Sequence, residues 1–73
     1  MDNLSKDTTV KIGEKIKQAR LQQGATQAEI AEKAGLNTNY YARIERGEAS
    51  ATIEAIQKIA TALKVTSSDI LPF

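Results

Sequence analysis

Apolar residues recur along this chain at helical spacing, in runs separated by glycine or by a small capping residue. Ile12, Ile16 and Ala19 share one face of the segment from Thr9 to Gln23, while Lys11, Lys15 and Lys17 lie off it. That period predicts a first helix, and Gly24 is placed to stop it in the left-handed conformation. A second helix is predicted from Thr26, where Thr26 and Glu29 stand at the T-x-x-E spacing of a capping box. Ile30, Ala31 and Ala34 form its inner face, and Gly35 ends it. Leu36 and Asn37 alone separate Gly35 from a third helix over 38–46, with Asn37 as its N-cap, Tyr41 and Ile44 on its inner face, and Arg46 just before Gly47. Thr52 caps a fourth helix whose stripe is Ile53, Ile56, Ile59, Ala60 and Leu63. Thr66 and Asp69 are spaced to open a short fifth helix carrying Ile70 and Leu71.

Two short helices joined at a glycine, Thr26 to Arg46, have the layout of a helix-turn-helix. Ala31 is small where the two helices cross, Gly35 supplies positive φ without a Cβ penalty, and Leu36 plugs the turn into the core. The fold class expected is all-α: a compact bundle of about five short helices in residues 9–73, preceded by an arm over 1–8.

The run Thr26-Gln27-Ala28-Glu29-Ile30-Ala31-Glu32-Lys33-Ala34-Gly35-Leu36, followed by Arg43-Ile44-Glu45-Arg46-Gly47, resembles the phage repressor and Cro-like (XRE-type) helix-turn-helix DNA-binding family. The resemblance extends from about Ile12 to Leu71. It implies a lambda-repressor-like domain that reads double-stranded DNA through its third helix. On this pattern Thr38, Asn39 and Arg43 are expected at base edges, because Asn pairs bidentately with adenine and Arg with guanine. Ala42 is expected on the same exposed side. Gln27 is expected at a phosphate, helped by the free N–H groups of its helix N-terminus, and Tyr40 is a further phosphate candidate. Arg20 and Glu45 match positions that form a partly buried ion pair in the family. The loop Glu48-Ala49-Ser50-Ala51 has no basic residue where relatives often carry one. Lys33 and Arg46 are therefore expected to supply phosphate contacts, and the dependence of binding on salt is expected to be shallow.

Charge and composition add exclusions more than directions. The net charge is +1, and the 73 residues contain neither cysteine nor histidine. Disulfides are ruled out, and so is a zinc site of the Cys/His kind; no metal, cofactor or small-molecule ligand is expected. There is no Gly-rich phosphate loop and no His- or Cys-based catalytic constellation, so an enzyme is not expected. No apolar run is long enough for a membrane span or a signal peptide, which leads to the expectation of a cytoplasmic protein. Val65, Ile70, Leu71 and Phe73 form an apolar group near the C-terminus that either closes the core or exposes a patch for a second copy; a homodimer on a palindromic operator is expected, since one recognition helix offers little contact. The function expected is that of a small transcriptional repressor or autoregulator. The competing reading is a protein–protein module on the same fold, such as the antitoxin of a toxin–antitoxin pair.

Overall fold

The computed structural model describes residues 5–73. Five helices follow in order: α1 Lys6–Gln22, α2 Gln27–Ala34, α3 Thr38–Glu45, α4 Ile53–Leu63 and α5 Ser67–Ile70. No strand occurs among the described residues. Ile12 and Ile16 of α1, Ile30 of α2, Tyr41 and Ile44 of α3, Ile59 and Leu63 of α4 and Ile70 of α5 converge on one core. The all-α bundle expected from the apolar period is thus the fold observed.

Most helix ends follow from local chemistry. Thr26 and Glu29 form the reciprocal capping box, the Thr26 hydroxyl accepting from Glu29 N at 3.1 Å and the Glu29 carboxylate accepting from Thr26 N at 2.8 Å. Gly35 closes α2 with φ 71°. Asn37 caps α3 by accepting from Tyr40 N at 3.1 Å, and Thr52 caps α4 by accepting from Ala55 N at 3.0 Å. The Gln23 side-chain amide donates to the Leu63 carbonyl, satisfying one of the orphan acceptors at the end of α4.

Three expectations change. Helix α1 begins at Lys6 rather than Thr9, because Ser5 serves as N-cap and accepts from Thr8 N at 3.1 Å. Residues 6–8 are therefore helix, and the rest of the expected arm, residues 1–4, lies outside the described residues. Helix α3 ends at Glu45, with Arg46 as its cap residue. Ile53 does not join the α4 stripe: it is 72 % exposed. At about 100° per residue it falls at the edge of the arc that Ala55, Ile56, Ile59, Ala60, Ala62 and Leu63 bury, in the first turn of the helix.

The position of α3 is set mainly by α1 and α2. Gly13 sits inside α1 against the C-terminal turn of α3. A Cβ there would overlap the Ile44 carbonyl oxygen and lie 2.6 Å from that of Glu45. The absent side chain lets the two backbones touch. Near the start of α1, Val10 packs on Gly47, whose φ is 75°, and the Thr9 and Ser50 hydroxyls share a hydrogen bond of 3.3 Å. Both contacts fasten the segment after α3 to α1.

Candidate nucleic-acid interface

Helix α3 buries Tyr41, Ala42, Ile44 and Glu45. With four of its positions turned inward, Asn39, Arg43 and Arg46 are left exposed at i, i+4 and i+7, a single outward stripe. Thr38 is exposed in the first turn. The three residues expected at base edges thus share the exposed part of one helix. Ala42 does not: it is 8 % exposed and belongs to the inner face, which removes it as a methyl contact.

Beneath the stripe lies a polar cluster. Arg20 Nε donates to Glu45 Oε2 at 2.7 Å and Arg20 Nη2 to Glu45 Oε1 at 3.0 Å, a bidentate pair with side chains only 10 % and 1 % exposed. Arg20 Nη1 also donates to the Ala25 carbonyl at 2.9 Å. The ion pair expected between Arg20 and Glu45 is present and ties α1 to α3. Burial pushes the Glu45 carboxyl up, but the bonds from the Arg20 guanidinium and the Gln27 amide hold the group below the ordinary carboxylate range. The same carboxylate holds the Arg20 guanidinium above its ordinary value.

Gln27 joins this cluster, its Nε2 donating to Glu45 Oε1 at 3.0 Å. It is half-buried and has one amide hydrogen committed inward. The capping box uses the amides of Thr26 and Glu29, leaving those of Gln27 and Ala28 for an outside acceptor. Sequence reading placed Gln27 at the helix opening but gave no sign of its bond to Glu45, because the partners are far apart in the chain. Tyr41 is fully buried. Its hydroxyl makes no hydrogen bond of good geometry, although burial, with the Glu45 carboxylate beside it, keeps the phenol protonated well above its usual range.

The remaining candidates lie around the stripe. Tyr40 is half-buried, and its hydroxyl donates to the Ser50 carbonyl at a long 3.4 Å. Arg46 pairs with Glu48 at 3.1 Å. Lys33 stands apart, in the last turn of α2 beside Gln57, Lys58 and Thr61 of α4. Sequence reading missed Glu48 as a member of the site. Its carboxyl is held below the ordinary range by its bond to Arg46, with Arg43 and Lys6 adding to the effect. Among the described residues no group of acidic side chains is arranged to hold a metal ion, and no helix is long and apolar enough to cross a membrane.

Comparison with known proteins places this geometry. A family model described as helix-turn-helix matches residues 16–70. The transcriptional regulator SinR of Bacillus subtilis is 36 % identical over 61 residues, covering 82 % of this chain and 55 % of SinR; the chain spans about half the length of that relative. The restriction-modification controller protein C.AhdI of Aeromonas hydrophila superposes with a TM-score of 0.84 at 30 % identity, covering 86 % of this chain and 96 % of that one. The controller protein C.Esp1396I, solved as a tetramer with its natural 35-base-pair operator, superposes with a TM-score of 0.77 at 34 % identity, covering 81 % and 78 %. The chain belongs to the helix-turn-helix family, in its phage repressor and Cro-like branch.

Proposed function

We propose that this chain binds double-stranded DNA sequence-specifically, as a homodimer, and regulates transcription. The observation that carries the proposal is the exposed α3 stripe of Asn39 and Arg43, held by the buried Arg20–Glu45 pair beneath it. A helix fixed from below and polar on its outer face suits insertion into the major groove. In this reading Thr38, Asn39 and Arg43 meet base edges. Arg43 pairs with guanine O6 and N7, and Asn39 with adenine N6 and N7. The open amides at the start of α2, together with the second amide hydrogen of Gln27, receive a phosphate. Tyr40 and Arg46 contact the backbone beside the stripe, and Lys33 is the most remote of the phosphate candidates. The relatives named above are a transcriptional regulator and two restriction-modification controller proteins by name, and one of the controllers is solved in complex with its operator, which supports the same reading. Control by occupancy needs no catalytic group, and the site offers none.

The test is selection from a randomised duplex pool with the wild type and an Asn39→Ala, Arg43→Ala variant in parallel. A palindrome enriched by the wild type and lost in the variant is the expected outcome. A folded wild type that enriches nothing at low salt would refute base readout and shift attention to a protein partner.

A further inference from the structure

The loop after α3 carries an acidic side chain among the cations that are to meet DNA. Glu48 Oε1 accepts from Arg46 Nη2 at 3.1 Å, and the Glu48 carbonyl accepts from Arg43 Nη2 at 3.4 Å. Lys6, in the first turn of α1, also acts on the Glu48 carboxylate. The packing of Val10 on Gly47 and the Thr9–Ser50 bond hold the start of α1 and this loop together. Both partners in the Arg46–Glu48 pair are about half exposed, at 54 % and 53 %, so the contact is open to exchange.

From this arrangement we propose that Glu48 is a negative element of the interface that weakens its binding to the DNA backbone. The proposal rests on the DNA-binding reading above and extends it to a residue that touches no base. A phosphate approaching Arg46 meets a guanidinium already paired with the Glu48 carboxylate, which also stands on the loop as a negative charge facing the phosphate chain. Both effects weaken binding to any duplex, whatever its sequence. The Debye length at physiological salt is about 8 Å, so the repulsion persists across the interface at that range. A cognate site offsets the loss because Arg43 gains a guanine partner in place of its long bond to the Glu48 carbonyl. A random site gives Arg43 no such partner. The Glu48 penalty itself falls on every duplex alike, so it leaves the ratio of cognate to random affinity unchanged and lowers the absolute affinity for DNA that offers no base partner. It also makes a shallow salt dependence the expected one, since Arg46 reaches DNA already paired.

The experiment compares wild type and Glu48→Gln on a random-sequence duplex of about two helical turns, titrated from 50 to 200 mM salt. Glutamine keeps the size of the side chain and removes its charge, and the exposed position leaves folding intact. The variant is expected to bind about twofold to fivefold more tightly at the lower salt, the range set by one exposed ion pair. Its log–log salt slope is expected to steepen by about 0.9, the value of one added phosphate contact. Adding Arg46→Ala to Glu48→Gln is expected to return the slope to that of the wild type. A Glu48→Gln variant with unchanged affinity and slope, beside a wild type that binds, would overturn this proposal alone. Absence of binding by both proteins at 50 mM salt would overturn the DNA-binding reading and this proposal with it.

Discussion

At Glu45 three helices meet through side chains, since its carboxylate accepts from Arg20 of α1 and Gln27 of α2 while it belongs to α3 itself. Removing one partner of a buried pair leaves an uncompensated charge, so Glu45→Ala is expected to cost about 3 kcal/mol in urea unfolding. The sign of the pH dependence follows from the direction of the shift. The folded carboxyl lies below its ordinary value of 4.5. Its contribution is present in full above that value and fades as pH falls through the lowered one. Wild-type stability is therefore expected to drop between about pH 4.5 and the acid limit by more than that of Glu45→Ala, measured as urea midpoints across that window. Tyr41 gives the opposite kind of prediction. Its buried hydroxyl has no well-formed hydrogen bond, so Tyr41→Phe is expected to leave stability unchanged or raise it by up to about 1 kcal/mol. A loss larger than that would reveal a bond to Glu45 that the geometry does not show.

At the scale of the element, caps and close approaches decide more than propensity. Alanine ordinarily favours a helix over glycine by about 1 kcal/mol. In α1 the order is expected to reverse, because a Cβ at Gly13 meets two carbonyl oxygens of α3. Gly13→Ala is expected to destabilise by about 2 kcal/mol and, by displacing α3, to weaken cognate DNA binding more than random binding. The end of α4 shows the converse. Lys64 adopts a left-handed conformation with φ 60°, which strains a residue bearing a Cβ. Lys64→Gly is expected to raise the unfolding free energy by about 0.5 kcal/mol, the relief of strain being partly cancelled by the greater freedom of glycine in the unfolded chain. Thermal denaturation of both variants beside the wild type checks the pair.

The described residues measure 32 × 22 × 18 Å, no longer than the rise of about 34 Å in one turn of B-DNA. In the proposed reading each protomer presents one α3 helix to one half-site, and two protomers read the pair. Of the C-terminal apolar group, Ile70 is buried and Val65 and Leu71 pack against the core, so the group mainly closes the core and leaves Phe73 exposed at 79 %. Footprinting on a selected duplex is expected to protect about two helical turns, with half-site centres about 34 Å apart. Protection confined to one half-turn would argue for a monomer.

What the chain alone determined is local in origin. The apolar period specified the helices, the spacing of Thr26 to Glu29 specified a capping box, and Gly35 specified the turn, because each depends on residues a few positions apart. The outward placing of Asn39 and Arg43 was reached through family resemblance, and helical geometry agrees with it, since residues four apart share a face. The Arg20–Glu45 pair was reached through family resemblance, not through periodicity. Other features arose from distant residues brought together by packing. The exposure of Ile53 depends on where α4 overhangs its neighbours, and the burial of Ala42 on how deeply α3 seats. The demand for glycine at 13 comes from a backbone more than thirty residues away in the chain. Gln27 bonds Glu45, and Glu48 lies among Arg43, Arg46 and Lys6, only once α1, α2 and α3 have docked. Periodicity has no term for such pairings, since it records which way a side chain faces and not what it meets there.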